Sequence, residues 1–198
     1  PNANVLVRAL AVLGSNVYAG GNFTTIGGGY SPKLAALDVL TGTLANGGPT
    51  PADGGEVWAL AQSGNRVYLG GTFGSVGPAT GAAALVDSVT GLPQAPYAGV
   101  AGIVSATVSD GAGGWYIGGS FTSVQGQPRA NLARILADGS LGSWNPGAIS
   151  WGLTPEVITL AVSGSNVYVG ATFTTISAQT RARLAAVDAT SGLATAWS

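Results

Sequence analysis

Asn16-Val17-Tyr18-Ala19-Gly20-Gly21-Asn22-Phe23-Thr24-Thr25-Ile26 decides the reading of this chain, because the sequence contains it four times. It returns as Arg66-Val67-Tyr68-Leu69-Gly70-Gly71-Thr72-Phe73-Gly74-Ser75-Val76 and as Gly114-Trp115-Tyr116-Ile117-Gly118-Gly119-Ser120-Phe121-Thr122-Ser123-Val124. The last copy is Asn166-Val167-Tyr168-Val169-Gly170-Ala171-Thr172-Phe173-Thr174-Thr175-Ile176. From Tyr18 to Tyr68, Tyr116 and Tyr168 the period is 50, 48 and 52 residues, and the chain's 4 phenylalanines all occupy one repeat position. A period of this length built from short strands belongs to quasi-repetitive architectures in which each unit buries its apolar faces against its neighbours.

Upstream of each copy lies a short alternating strand, Val7–Val12, Val57–Ala61, Val104–Val108 and Val157–Val162. Between the two strands sits a tight turn at Gly14-Ser15-Asn16, Gly64-Asn65-Arg66, Asp110–Gly114 or Gly164-Ser165-Asn166. Glycine and asparagine tolerate the positive backbone angles of hairpin turns, so the two strands are expected to pair antiparallel. In the second strand Val17 and Ala19 alternate with Tyr18 and Gly20, which makes both faces apolar. A sheet with one face in water has no need of that, whereas a sheet stacked between two others does.

Downstream come a Gly-rich loop and a third strand, Leu34–Asp38, Ala83–Asp87, Leu132–Leu136 and Leu184–Asp188. Each ends at a turn, Thr41-Gly42, Thr90-Gly91, Asp138-Gly139 or Ser191-Gly192, that leads to a short fourth strand. In the last two units that strand closes on Trp144 and Trp197. The fold class is therefore all-β: a β-propeller of four-stranded antiparallel blades, four repeats of about 50 residues in this chain. Blades are expected at 1–52, 53–100, 101–152 and 153–198.

Tyr-x-Gly-Gly-x-Phe, Leu-Ala-Ala-Leu-Asp-x-x-Thr-Gly and Trp-x-Pro together resemble the bacterial delta-60-type β-propeller repeat, and more distantly kelch. Asn131–Arg134 through Asp138–Leu141 is the nearest copy. The resemblance implies an exported or surface-attached bacterial protein and no catalytic motif. Trp144-Asn145-Pro146 joins the third unit to the fourth, and reading from Trp197-Ser198 back to Pro1 regenerates that junction. Three arrangements fit: a closed ring of four blades, an arc of a larger ring, or two chains sharing one ring. The start at Pro1 in place of an initiator suggests a trimmed or partial product.

Composition narrows the chemistry. Charged residues make up 8% of the 198 residues and the net charge is -1. Typical soluble domains carry about 25% charged residues. No basic footprint for nucleic acid or anionic lipid is present. The chain has no cysteine and no histidine, which removes Ser-His and Cys-His nucleophiles and thiolate metal sites. Asp38, Asp87 and Asp188 share one position before a turn and read as turn caps; the dense acidic spacing of calcium loops is missing. Asp110–Gly114 is glycine-rich like a phosphate cradle, but it joins two strands and is followed by neither helix nor lysine. Arg129, Arg181, Arg134 and Arg183 read as partners of turn aspartates or carbonyls.

No catalytic residue, metal site or cofactor is expected. The expectation is a non-catalytic structural or protein-binding module of an exported bacterial surface protein or assembly, extracellular or at the cell surface. Its partners would be other protein chains or further blades of the same polypeptide, with no nucleic acid and no membrane insertion. The alternative is a carbohydrate-binding propeller. For that, Trp58, Trp151 and Tyr30 are the ligand-binding candidates, since these aromatics break the repeat, and glycans would be the partner.

Overall fold

A computed structural model describes residues 1–47, 53–77, 80–88, 92–149 and 156–197. Its first segment contains β1 (Val7–Leu13), β2 (Asn16–Gly21), the two-residue β3 (Thr25–Ile26) and β4 (Gly29–Tyr30), β5 (Leu34–Asp38) and β6 (Leu44–Gly47). The second contains β7 (Val57–Ser63), β8 (Arg66–Gly71) and β9 (Ala83–Asp87). The third has β10 (Val100–Ser109), β11 (Trp115–Val124), β12 (Gln127–Pro128) and β13 (Leu132–Ile135). The fourth has β14 (Ala148–Ile149), β15 (Val157–Ser163), β16 (Asn166–Ala171), β17 (Thr175–Ile176), β18 (Gln179–Thr180) and β19 (Leu184–Asp188). The described residues contain no helix, and therefore none long and apolar enough to cross a membrane.

The hairpins predicted from the glycine turns are present. β1 pairs β2, β7 pairs β8, β10 pairs β11 and β15 pairs β16, all antiparallel. Gly14, Gly64 and Gly164 at the tips have φ of 59°, 58° and 56°, a conformation in which a Cβ would crowd the backbone. In the third hairpin the Asp110 carboxylate accepts from the amides of Ala112 and Gly114, both at 2.8 Å, and organises the longer turn. The third strand then lies along the second, giving the orders β1-β2-β5-β6, β7-β8-β9 and β15-β16-β19, with β13 on β11.

The fourth strand is less regular than expected. Among the described residues only the first sheet extends it over several residues, as β6; elsewhere they show the single bridges Val86↔Pro93, Ile135↔Leu141 and Val187↔Ala194. Proline cannot donate to a ladder, and short outer strands leave little edge for unwanted pairing. The tryptophan expected to close this strand packs inward. Trp144 meets Tyr116 edge to face at 4.8 Å and donates Nε1–H to the Asp188 carbonyl of the fourth segment at 2.9 Å.

Three apolar cores form between sheets. One joins Tyr18 and Leu34 of the first sheet to Val57, Val67, Leu69 and Phe73. The next joins Tyr68 to Val104, Trp115, Ile117 and Phe121. The last joins Tyr116 and Leu132 to Val157, Val167, Val169 and Phe173. In each, the Tyr-x-Gly face of one sheet lies on the Val/Leu face of the following one. The first glycine is what allows this approach: a Cβ at Gly20 would sit 2.5 Å from Val57 Cγ1, and Gly70 and Gly118 are as close to Val104 and Val157. The second glycine faces the carbonyl of the adjacent strand, Leu6, Glu56 or Ile103.

Stacking on both faces, expected of every sheet, holds for the middle two. The outer face of the first sheet gathers only residues of its own segment, including Ala19, Phe23, Ile26, Ala35 and Leu37. The fourth sheet leaves its tyrosine face open, with Leu184 52% exposed where its counterparts Leu34 and Leu132 are 1% and 0% exposed.

Candidate functional site

The first strand of each of the four main sheets carries a bulge at the same repeat position. Val7 pairs Gly21 while Ala9 pairs Gly20, so Arg8 is the extra residue. By the same register Trp58, Ser105 and Ile158 are extra in β7, β10 and β15. A bulge re-aims its side chain and tightens the local twist. Here the four re-aimed residues converge: Arg8, Trp58, Ser105 and Ile158, with Leu6, Val7 and Glu156, line one cavity of about 340 Å³.

Polar contacts order this cavity. Arg8 Nε pairs with Glu56 Oε2 at 2.7 Å, and Trp58 Nε1–H donates to the same oxygen at 3.0 Å. The Arg8 guanidinium lies 5.1 Å from the centroid of the Trp58 ring. Ser105 Oγ donates to Glu156 Oε1 at 3.0 Å. Both glutamates sit on segments held by a reciprocal pair: the Glu56 and Glu156 amides donate to Thr72 and Thr172 Oγ1 at 3.0 and 3.1 Å, and the Thr72 and Thr172 amides donate back to the Glu56 and Glu156 carbonyls. Burial raises the Glu56 carboxyl pKa, but the hydrogen bonds from Arg8 and Trp58 outweigh it and leave the carboxyl below its ordinary value. The cavity thus offers the Glu156 carboxylate, a hydroxyl, and a guanidinium and indole held in place by Glu56, suited to hydrogen-bonding a small polar ligand.

Of the aromatics singled out in the sequence, Trp58 lies at this cavity, with Arg8 against its ring. Tyr30 is 74% exposed on β4 and lines a separate hollow with Asn2, Thr25 and Gly28. Trp151 lies outside the described residues. Trp58 and Tyr30 therefore do not share a surface. Glu56 and Glu156 escaped the sequence reading, though a signal existed. They occupy one repeat position, held in the other copies by Leu6 and Ile103, and only the bulge nearby brings Glu156 to the cavity wall and Glu56 behind Arg8 and Trp58.

Several of the remaining charged groups serve the framework. Asp38 Oδ1 accepts from the amides of Leu40 and Thr41 and the Thr41 hydroxyl. Asp188 Oδ1 does the same with Thr190 and Ser191. Backbone and hydroxyl hydrogen bonds hold both carboxyls below their usual pKa. Arg134 forms an ion pair with Asp110 at 2.6 Å. Arg129 and Arg181 donate to the Gly142 and Thr195 carbonyls. Among the described residues no cluster of three or more metal-ligating side chains occurs.

Residues 113–141 match a family described as a domain of unknown function (DUF5122), β-propeller. The computationally designed Ika4 protein is similar in structure, at TM-score 0.56 and 18% identity over 86% of this chain and 88% of that one. The designed Ika8 protein follows at TM-score 0.49 and 18% identity, over 95% of this chain and 60% of its own. The extracellular domain of the putative one component system BT4673 from B. thetaiotaomicron gives TM-score 0.46 and 15% identity, over 86% of this chain and 20% of that one. No curated protein matches the chain. An all-β chain without helix in its described residues, matched from β11 through β13 to a propeller family, is a β-propeller domain.

Proposed function

We propose that the chain is a non-catalytic propeller module of four blades that acts by binding protein, as a structural part of an exported bacterial surface protein or assembly. The observation that carries this reading is the pair of open apolar faces at the two ends of the stack. Leu10 and Val12 are 63% and 57% exposed on the first sheet, and Leu184 is 52% exposed on the fourth. Apolar surface gathered on one sheet face, while most carboxylates are tied into turns and ion pairs, favours protein contact over chemistry. The test is the double variant Leu10→Glu/Leu184→Glu, melted at a dilution where the wild-type Tm no longer depends on concentration. Its Tm is expected to stay within about 2 °C of wild type, less than one kcal/mol for a chain of this size, whereas Leu132→Glu abolishes folding. Collapse of the double variant would place these faces in the chain's own core and sink the reading.

A second reading is favoured by the cavity at the bulges: recognition of a carbohydrate through Trp58, Ser105 and Glu156. Carboxylate and hydroxyl groups beside an indole match the alternating hydroxyl and C–H surfaces of a sugar. Binding on a glycan array that Trp58→Ala and Glu156→Gln both reduce at least tenfold is the expected result. Empty arrays, or binding indifferent to both changes, would remove it.

A further inference from the structure

Each of the three buried contacts between sheets uses the same parts. The tyrosine hydroxyl of one sheet donates to a carbonyl at the third-strand turn or hairpin tip of the next: Tyr18 to Ser88 at 2.8 Å, Tyr68 to Gly113 at 2.5 Å and Tyr116 to Ala189 at 2.9 Å. Beside it, the first glycine of one sheet receives the valine of the next. One half of a fourth such contact remains at each end of the chain.

On the fourth sheet the half is Tyr168, Gly170 and Leu184. A Cβ at Gly170 would meet only Thr159 of its own sheet, and no valine from a following sheet. On the first sheet the half is Val7, Leu10 and Val12, with Val39 in the place that Ser88 and Ala189 hold after their aspartates. Val7, Leu10 and Val39 line a hollow of about 500 Å³ together with Val17, Ala19 and Leu37, and Val12 is exposed beside it.

We propose that a second copy of this chain fills it. The Tyr168 face of one copy docks on the Leu10 face of another, head to tail, continuing the contact already made three times within the chain. The occupant follows from continuity. The required surface is a Tyr-x-Gly strand beside a leucine, and among the described residues the uncommitted one is that of the fourth sheet. Each copy carries the half that the other's facing sheet lacks, and a head-to-tail contact whose rotation closes on two copies satisfies both faces. The proposal rests on the protein-binding reading and names its partner.

Sedimentation equilibrium of the unmodified chain in the micromolar range is expected to give twice the chain mass. Leu10→Glu and Leu184→Glu are each expected to return it to a single chain with an unchanged circular dichroism spectrum. Because the chain has no cysteine, engineered thiols report the contact directly. A Cβ at Gly20 would lie 3.1 Å from Val57 Cβ, close to the roughly 3.5–4.5 Å of a disulfide. Val7→Cys is mixed with Thr159→Ala/Gly170→Cys, in which the alanine found in the other three copies makes room. Oxidation should yield a linked pair of chains that neither variant gives alone.

A single-chain mass for the unmodified protein overturns the proposal. So does a cross-link that forms only within one chain when all three substitutions are combined. A single-chain mass with Leu10→Glu/Leu184→Glu still folded would leave the protein-binding role standing with another occupant, whereas a cross-link within one chain would close the two faces on each other and remove both readings. Collapse of that double variant would remove both.

Discussion

Tyr116 and Tyr168 occupy the same repeat position, yet the structure gives them different work. Tyr116 is buried, burial raises its pKa, and its hydroxyl bonds the Ala189 carbonyl. Tyr168 is half-buried, packs on Trp197 at 5.2 Å, and its hydroxyl has no hydrogen-bond partner among the described residues. Tyr116→Phe should therefore lower stability by about 1 kcal/mol, the usual net worth of such a bond, while Tyr168→Phe leaves the melting of a single chain unchanged. Chemical denaturation of both variants checks this. The turn aspartates make a second prediction at this scale. Asp38, Asp138 and Asp188 have folded pKa values below their unfolded ones. Their contribution is complete above the unfolded value of about 3.9 and is lost as pH falls through the lower folded values. Stability measured from about pH 5 down to about pH 2 should fall, with a smaller slope in Asp38→Asn/Asp188→Asn. An equal slope in that variant would contradict the cap assignment.

At the scale of the strand, the first glycine of each Gly-Gly pair sets how closely sheets approach. Gly118→Ala would press its Cβ onto the branched Val157, whose stiff χ1 gives little room. A loss of about 1–3 kcal/mol is expected from overpacking, and combining it with Val157→Ala should recover less than the full amount, because that change leaves a cavity of its own. Thermal melts of the two single variants and the pair measure this coupling. The hairpins, their glycine tips and the tyrosine-inward stacking were legible in the sequence, because side-chain period and turn chemistry are local properties. The bulge was not. It depends on register against the partner strand, and it turned a position read as one face of an alternating strand into the lining of a shared cavity. For that reason Trp58 was noticed as an irregular aromatic, while Glu56 and Glu156 went unseen.

Over the whole molecule, protection should follow the number of faces covered. The second and third sheets are flanked on both sides and contain Tyr68, Trp115, Ile117 and Leu132, all buried. The first and fourth are flanked on one side. Hydrogen exchange at dilution should show slowest amide exchange in β8 and β11 and faster exchange in β1 and β19, because sub-global opening starts where fewest apolar contacts must break. Uniform protection across the four sheets would mean that the end faces are covered after all.

By itself the sequence determined the unit: its strands, turns, period and the apolar character of both sheet faces, all written in residues close along the chain. The tertiary structure alone decided how the units meet. It showed which residues four bulges bring around one cavity, and that the chain ends with one face open on each side. Those facts arise from contacts between residues about fifty or more positions apart, where identical local patterns acquire different neighbours.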